Sequence, residues 1–359
     1  MDTTKRLPGR GTVDNPENRY ERIHLELDSD GEESTSPATV FYRDSSRSAL
    51  AENDSPDIPF RFSLNPYRGC EHGCVYCYAR PTHEYLSFSA GLDFEQRIMV
   101  KHDAPELLRR TFLSPRWRPE VVALSGNTDC YQPVERHLQL TRRCLEVFRE
   151  FRNPVGIVTK SALVTRDIDL LAGLAEHAAT HVCVSITSLD GDLARRMEPR
   201  AARPERRLEA VRTLSAAGVP VSVMVAPIIP GLNDEEVPRI LEAAAGSGAR
   251  SASWVLLRLP RPVDQLFEEW LQAHFPERRL RIIGRIRQCR DGSLSDSRFG
   301  QRMRGQGVYA GHIAGLFHTA ARRYGLDGAL PALNTTAFRR PPQAGEQLQL
   351  YSDVPKASR

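Results

Sequence analysis

Short β-rich segments separated by amphipathic stretches are the feature that most constrains the fold of this 359-residue chain. The β-rich segments are residues 61–64, 121–126, 155–160, 181–187, 219–226 and 251–259. Between them, apolar residues recur at helical spacing over residues 134–151, 166–179 and 204–217. Strands that alternate with helices of this length indicate βαβ units and a parallel sheet. Six strands predict an α/β fold, an incomplete TIM-type (β/α)6 barrel, with functional loops at the carboxyl ends of the strands.

Composition divides the chain into four predicted parts. Residues 1–58 are acidic and rich in Ser, Pro and Asp, which predicts a partly disordered N-terminal arm. The partial barrel is predicted over residues 59–260. Helical patterns then predict a C-terminal helical extension over residues 261–330, and residues 331–359 form a polar tail.

Cysteine content and hydropathy indicate in which cellular compartment the protein is expected. Hydrophobic residues make up 40% of the chain and charged residues 26%, as in ordinary globular proteins. No apolar run approaches the roughly 18 residues that cross a bilayer, and the N-terminus lacks the apolar core of a secretory signal. The seven cysteines show no pairing rhythm, which indicates reduced thiols. We therefore expect a cytoplasmic protein that does not bind membranes.

Charge is distributed unevenly along the chain. Residues 26–57 contain nine acidic residues against two arginines, whereas residues 278–304 contain nine arginines against two aspartates. A basic run of this kind can meet phosphates, so nucleic acid is a candidate partner. The alternative interpretation is solvated helix and loop surface, which is the commoner role of charged runs.

Three cysteines lie close together after the first predicted strand, in the stretch NPYRGCEHGCVYCYARP. Cys70, Cys74 and Cys77 have the spacing CxxxCxxC. Thiolates on one loop favour an iron–sulfur cluster or zinc. Three ligands on a four-iron cluster would leave one iron open to a substrate or cofactor. Zinc would need a fourth ligand, which His72 or His83 could supply.

This loop, with Tyr76 before the third cysteine, resembles the CxxxCxΦC signature of the radical S-adenosylmethionine (SAM) superfamily. The resemblance implies a 4Fe-4S cluster on Cys70, Cys74 and Cys77 whose open iron binds SAM. It also implies reductive cleavage of SAM to a 5′-deoxyadenosyl radical that abstracts hydrogen from a substrate. An electron donor of the flavodoxin or ferredoxin type is then needed. The protein's own task is to hold SAM and exclude water.

Further motifs resemble the spore photoproduct lyase-like (DNA repair photolyase-like) branch of this superfamily, in a bacterial subgroup whose substrate is unassigned. These motifs are NTDCYQPVERHLQLTR, TKSALVTRDIDLL, MEPRAARPERRL and PIIPGLND. In PIIPGLND, Pro227 replaces the first glycine of the superfamily element and Asp234 replaces its glutamate. The resemblance implies SAM contacts from Tyr76, Thr128, Lys160, Ser185 and Ile229. An ammonium at a strand end can pair with the methionine carboxylate.

The same resemblance implies catalytic roles for Tyr76 and Tyr78, which flank Cys77 as two hydrogen-relaying tyrosines do in the lyase. Alternatively, both rings only cover the cluster and the adenine. The lyase has a hydrogen-donating cysteine where this chain has Gly126, so spore photoproduct lyase activity is not expected. Cys130, four residues later, is a candidate replacement donor.

The resemblance and the basic run make a nucleic-acid lesion or modified nucleotide the candidate substrate. The alternative from another functional class is a non-catalytic iron–sulfur or zinc module with a structural or redox-sensing role. Thr128, Lys160 and PIIPGLND favour the enzyme, because a metal loop that only braces the fold would not need them.

Overall fold

A computed structural model describes residues 9–12, 14–16 and 39–342. Most of the predicted N-terminal arm, and residues 343–359 of the predicted polar tail, lie outside the described residues. Within the described ranges, no helix is both long enough and apolar enough to cross a bilayer.

The described chain has an α/β fold built on a mostly parallel sheet. In chain order the strands are β1 (Val40–Arg43), β2 (Leu50–Glu52), β3 (Phe62–Leu64), β4 (Tyr67–Arg68), β5 (Arg97–Val100), β6 (Val122–Leu124), β7 (Val155–Thr159), β8 (Thr180–Ser185), β9 (Val221–Ile228) and β10 (Ser251–Leu256). The main sheet has the order β10-β9-β8-β7-β6-β3-β2. Strands β3 and β6 to β10 run parallel, and β2 pairs antiparallel with β3 at one edge. The six predicted barrel strands are thus all present.

A smaller sheet has the order β1-β5-β4. In it, β1 pairs parallel with β5, residue for residue from Val40 opposite Arg97 to Arg43 opposite Val100. Strand β4 pairs antiparallel with β5 on its other side. This sheet therefore connects the start of the cysteine loop with the segment that contains β1.

Helices connect the parallel strands and extend beyond the last of them. They are α1 (Leu92–Gln96), α2 (Ala104–Leu113), α3 (Glu135–Leu138), α4 (Leu140–Phe151), α5 (Ile168–Ala175), α6 (Gly191–Met197), α7 (Pro204–Ala216), α8 (Val237–Gly246), α9 (Val263–His274), α10 (Arg279–Gln288) and α11 (Gly307–Arg323). Short 3₁₀ segments span Arg80–Leu86, Ala162–Asp167 and Asp234–Glu236. The last three helices lie within residues 261–330, where the sequence predicts a helical extension.

The single helix predicted over residues 134–151 was wrong, because two helices meet at Gln139. Gln139 has φ of 51°, in the left-handed region that interrupts a helix. The backbone N–H of Thr141 donates to the Glu135 side chain at 3.0 Å. A side-chain acceptor thus serves the start of α4, and the apolar periodicity on both sides hides the break from sequence reasoning.

The core lies between the main sheet and its helices. Helix α4 buries Cys144, Phe148 and Phe151 completely. The ring of Phe112 from α2 packs with its centroid 5.5 Å from that of Phe148 and 5.6 Å from that of Phe151. Burying each such ring contributes about 1.5–3 kcal/mol. This packing fixes the sheet, and with it the strand ends that carry the polar residues described below.

Contacts of the segment after α10 join the two edges of the main sheet. The N–H of Leu256 at edge strand β10 donates to the Met303 carbonyl at 2.9 Å. The next residue back, Arg302, donates through Nε to Asp57, which lies between β2 and β3, at 2.7 Å. The acidic and basic segments of the sequence therefore meet in this ion pair.

Most arginines of the basic run contact other groups of the protein, so this segment is not simply a solvated surface. Seven of its nine arginines contact a carboxylate, a carbonyl, an amide or a ring: Arg278, Arg279, Arg285, Arg290, Arg298, Arg302 and Arg304. Among the described residues, no such partner is seen for Arg281 and Arg287, which are exposed. The run is therefore largely structural.

Candidate active site

The cysteine loop is held by a fully buried ion pair. Arg80 and Glu95 are both fully buried and lie 2.6 Å apart. Arg80 Nε also donates to the Cys74 carbonyl at 3.0 Å. Breaking such a pair would leave an uncompensated buried charge. The backbone between the second and third cysteines is therefore tied to α1, which carries Glu95.

A short N-terminal segment, residues 9–12, packs against the same loop. The Gly11 N–H donates to Glu95 Oε2 at 3.0 Å, and the Thr12 hydroxyl donates to Glu95 Oε1 at 3.2 Å. A Cβ added at Gly11 would lie 1.7 Å from the Gly73 carbonyl oxygen. Gly73 has φ of 66°, which glycine adopts without strain. Two glycines thus permit close contact of this segment with the cysteine loop.

The three cysteines of the loop are free thiols. Burial raises the pKa of Cys77 to about 11, and the Cys70 sulfur adds to that rise. Burial also raises the pKa of Cys74, to which the other two sulfurs contribute. Cys77 packs against the apolar cluster that contains Cys74 and against the one that contains Cys70. A set of three soft donors on one loop fits an iron–sulfur cluster.

In the described part of the chain, no three His, Cys, Asp or Glu side chains converge tightly enough to hold one metal ion. A single zinc ion needs sulfurs at about 2.3 Å from one point, whereas cluster thiolates each bind a different iron. His72 and His83, the candidate fourth zinc ligands, each have a partner in the protein, and His72 contacts Cys70 as well as Asp129. His72 Nδ1 lies 3.4 Å from Asp129, and His83 Nε2 lies 2.9 Å from the Arg97 carbonyl oxygen.

Tyr76 belongs to a buried polar network. Its hydroxyl donates to Glu198 and lies 3.3 Å from the Thr187 hydroxyl. The other Glu198 oxygen accepts from Arg207 in a buried ion pair. Burial alone would raise the pKa of Glu198, but the charges of Arg207 and Lys160 outweigh it and lower the pKa to about 2. A carboxylate that is ionised at neutral pH therefore orients the ring of Tyr76.

Lys160 and Ser185 meet at the ends of β7 and β8. Lys160 Nζ donates to Ser185 Oγ at 2.8 Å and to the Ala226 carbonyl at 3.2 Å. Ser185 and Thr187 donate to the same carbonyl at 3.1 and 3.0 Å. Lys160 Nζ also lies 5.9 Å from the centre of the Tyr76 ring. The structure thus brings three of the predicted SAM-binding residues together beside the cysteine loop.

Thr128 lies in the loop that follows β6, and its side chain binds a backbone carbonyl. Its hydroxyl donates to the Tyr67 carbonyl at 2.6 Å. The following residue, Asp129, accepts from the Lys160 N–H and the Thr159 hydroxyl, each at 2.8 Å. Asp129 also pairs with His72, so it connects the end of β7 to the cysteine loop.

Ile229 and Cys130 differ in their surroundings. Ile229 is fully buried in an apolar cluster that also contains Cys74, Val75 and Tyr76. Cys130 is fully buried in the main core, where burial and the charge of Asp129 raise its pKa well above the ordinary value. Cys130 is therefore a buried core thiol in this structure.

Tyr78 lies near the carboxyl ends of the parallel strands, and its side chain is 46% exposed. Its hydroxyl donates to the Gly126 carbonyl at 3.0 Å. The guanidinium carbon of Arg258 lies 5.3 Å from the centre of its ring. Tyr78 is thus in contact with residues that follow both β6 and β10.

Sequence reasoning missed Glu198, Arg207 and Arg258. Glu198 and Arg207 lie within MEPRAARPERRL, one of the motifs quoted above, nine residues apart. Nothing local marks this pair as buried, because charged residues are usually exposed. The available signal was the position of the motif after the fourth parallel strand, at the carboxyl end where functional residues collect.

The chain is similar in sequence to known proteins. A profile of the Radical SAM superfamily matches residues 64–244. An uncharacterized protein of Mycobacterium tuberculosis is 37% identical over 233 residues, covering 64% of this chain and 67% of that protein. An uncharacterized protein of Methanocaldococcus jannaschii is 30% identical over 176 residues, 49% of this chain and 63% of its own length.

Among solved structures, this fold is similar to that of spore photoproduct lyase complexed with dinucleoside spore photoproduct. The TM-score is 0.52 at 17% identity, over 79% of this chain and 78% of the lyase. At that identity the likeness concerns the fold alone. The family match covers half of this chain and includes the cysteine loop and the ends of β6 to β9. The chain therefore belongs to the radical SAM superfamily and is an enzyme of that class.

Proposed function

We propose that this enzyme holds a 4Fe-4S cluster through Cys70, Cys74 and Cys77, and holds SAM beside it. When bound together, the cluster and SAM supply a 5′-deoxyadenosyl radical that abstracts hydrogen from a substrate. An external donor of the flavodoxin or ferredoxin type supplies the electron. The six parallel strands curve into a partial barrel, a shape supported by the contacts of Arg302 and Met303 that join the sheet edges.

The chain's own residues position SAM. Lys160 pairs with the methionine carboxylate, since its ammonium has a second partner in Ser185 that fixes its direction. Ser185 and Thr128 offer hydroxyls, and Ile229 offers an apolar surface. Glu198 and Arg207 act as positioning residues, because they orient Tyr76 rather than contact SAM.

The observation that carries this proposal is the convergence of Lys160, Ser185 and Tyr76 beside the cysteine loop. A non-catalytic metal module would not require an ammonium group beside its cysteine loop. The substrate hypothesis is a nucleic-acid lesion or modified nucleotide. Classical spore photoproduct lyase activity is not proposed, because Gly126 offers only a carbonyl to Tyr78.

The test is formation of 5′-deoxyadenosine by anaerobically reconstituted, reduced protein. We expect the product from the wild type and none from a C70A/C74A/C77A variant. A C144A variant is the matched control, because Cys144 is a buried core thiol far from the loop in sequence. A fully loaded wild type that forms no 5′-deoxyadenosine would refute the proposal.

The role of Cys130 as hydrogen donor is a separate proposal. Its burial means that the loop carrying Ser125 and Thr128 must move before a radical can reach the thiol. Substrate turnover that persists unchanged in Cys130→Ala would remove this role without affecting the rest.

A further inference from the structure

Arg258 stands out among the arginines near the strand ends. It follows β10 by two residues and is partly buried. Its guanidinium lies 3.6 Å from Met303 Sδ, a weak acceptor, and stacks on Tyr78. Within the described residues, no oxygen acceptor binds it.

Its neighbours are treated differently by the fold. Arg290 donates to the Leu257 carbonyl at 2.6 Å, and Arg304 donates to the Trp254 carbonyl at 2.9 Å. Arg302 is bound by Asp57. The charge of Asp57 also reaches Arg258, but this carboxylate is already occupied by Arg302. Oxygen acceptors of the protein thus bind the surrounding arginines, whereas Arg258 has only a sulfur acceptor among the described residues.

Partial burial of a cation that lacks a hydrogen-bond acceptor is energetically unfavourable. Burial lowers the pKa of Arg258, and the nearby charge of Arg302 adds to that effect. A guanidinium nevertheless keeps its proton in proteins, so the charge remains. Its five N–H donors form a planar fork that matches phosphate and carboxylate oxygens. An oxyanion therefore matches the unused donors of this guanidinium.

The position of Arg258 connects it with the cysteine loop. Leu257 and Leu259, on either side of it, pack in the same apolar cluster as Cys74 and Tyr76. Tyr78 follows Cys77 directly in the chain, and its hydroxyl is fixed on Gly126. Because Tyr78 is anchored at that end, the guanidinium stacked on its ring is also held in place.

We propose that Arg258, positioned by Tyr78, binds an oxyanion group of the substrate, a phosphate or a carboxylate. This inference rests on the proposed function, because it assigns the substrate side of that site. Arg258 then determines specificity: it selects substrates that carry a negative group at a fixed distance from the reacting hydrogen. The arginines of the basic run contribute little, since most are already paired.

The test is calorimetric titration of methyl phosphate, and separately of acetate, into reconstituted protein that is already loaded with SAM. Prior loading prevents the SAM carboxylate from being the group that is measured. We expect the wild type to bind at least one probe, and Arg258→Gln to weaken that binding by about tenfold or more. Arg258→Lys should recover part of the affinity, because it keeps the charge and loses the fork.

The matched control is Arg287→Gln on α10, which removes an exposed arginine of the same charge. Its affinity should stay within about twofold of the wild type, as expected for a screened surface charge. Preference for methyl phosphate assigns a phosphate, and preference for acetate assigns a carboxylate.

Three results would overturn the site: unchanged affinity in Arg258→Gln, an equal loss in Arg287→Gln, or no anion binding by the wild type. SAM affinity and 5′-deoxyadenosine formation are measured in parallel for the wild type and for Arg287→Gln, in which both should persist. A SAM-loaded wild type that binds the anion but forms no 5′-deoxyadenosine after reduction would refute the proposed function and leave the anion site standing.

Discussion

Glu198 and Arg207 form an ion pair that is almost completely closed to solvent, at 0% and 2% side-chain exposure. The carboxylate also accepts from Tyr76, in the loop that carries the cysteines. A single buried anion therefore couples α7, which contains Arg207, to the position of that loop.

Replacing Glu198 with Gln should destabilise the protein strongly. The guanidinium of Arg207 would stay buried without its counter-charge, which costs about 3–5 kcal/mol in the free energy of unfolding. Urea denaturation of both proteins measures this difference. The control is Glu209→Gln, which removes an exposed pair with Arg212 and should cost less than about 1 kcal/mol. Equal losses in the two variants would contradict the buried role.

The contribution of Glu198 to stability should also depend on pH in a defined direction. Its pKa in the folded protein is about 2, below its ordinary value. A lowered carboxyl pKa stabilises the fold above about pH 4.3 and loses that effect as pH falls toward 2. The difference in stability between the wild type and Glu198→Gln should thus be constant from about pH 8 to pH 5 and shrink below about pH 4. A gap that widens on acidification would contradict the assignment.

Lys160→Met should weaken SAM binding without loss of the fold. Methionine keeps most of the apolar stem and removes the ammonium, so about tenfold or more in affinity should be lost. Ser185→Ala should have a smaller effect, because it removes a neutral hydroxyl that binds Lys160, and not a charge. Anaerobic calorimetry with reconstituted protein measures both affinities, and iron content shows that the cluster is loaded.

A matched control for the serine is Ser215→Ala on α7, whose hydroxyl donates to the Gly248 carbonyl away from the cysteine loop. It should leave SAM affinity unchanged. If Lys160→Met bound SAM as tightly as the wild type, the carboxylate would have to pair with another group.

Gly11→Ala should displace the N-terminal segment from the cysteine loop. The added Cβ would lie 1.7 Å from the Gly73 carbonyl oxygen, so residues 9–12 cannot keep their position. We expect faster proteolysis of this segment and faster bleaching of the reconstituted cluster in air, each measured against the wild type. Gly284→Ala in α10 is the control, because its Cβ would enter open space and should stabilise by up to about 1 kcal/mol. Identical bleaching rates in the two variants would contradict a covering role.

The strands of the main sheet were predictable because each is a short apolar run between helical patterns, a signal contained within a few residues. The parallel arrangement followed from their alternation with helices. Tertiary contacts decided the rest. The break at Gln139 depends on Glu135, whose carboxylate serves the start of α4, and no glycine or proline marks it.

The candidate site divides in the same way. Lys160 and Ser185 could be placed from motif position and strand periodicity, and they do meet. Glu198 could not, because its burial depends on an arginine of the next helix and on Tyr76 far earlier in the chain. The contacts of the basic run were beyond sequence reasoning for a related reason: most of its arginines are bound by carbonyls, rings and carboxylates that composition does not reveal.

Asp57 and Arg302 are 245 residues apart in the sequence. During synthesis on the ribosome, Asp57 therefore emerges long before its partner, and strands β3 to β10 can pair in the meantime. Contacts of such long range also carry the largest loop-closure cost, so they form late in folding. We therefore expect the strand-end site to stay accessible at the open sheet edges until the segment after α10 has been synthesised.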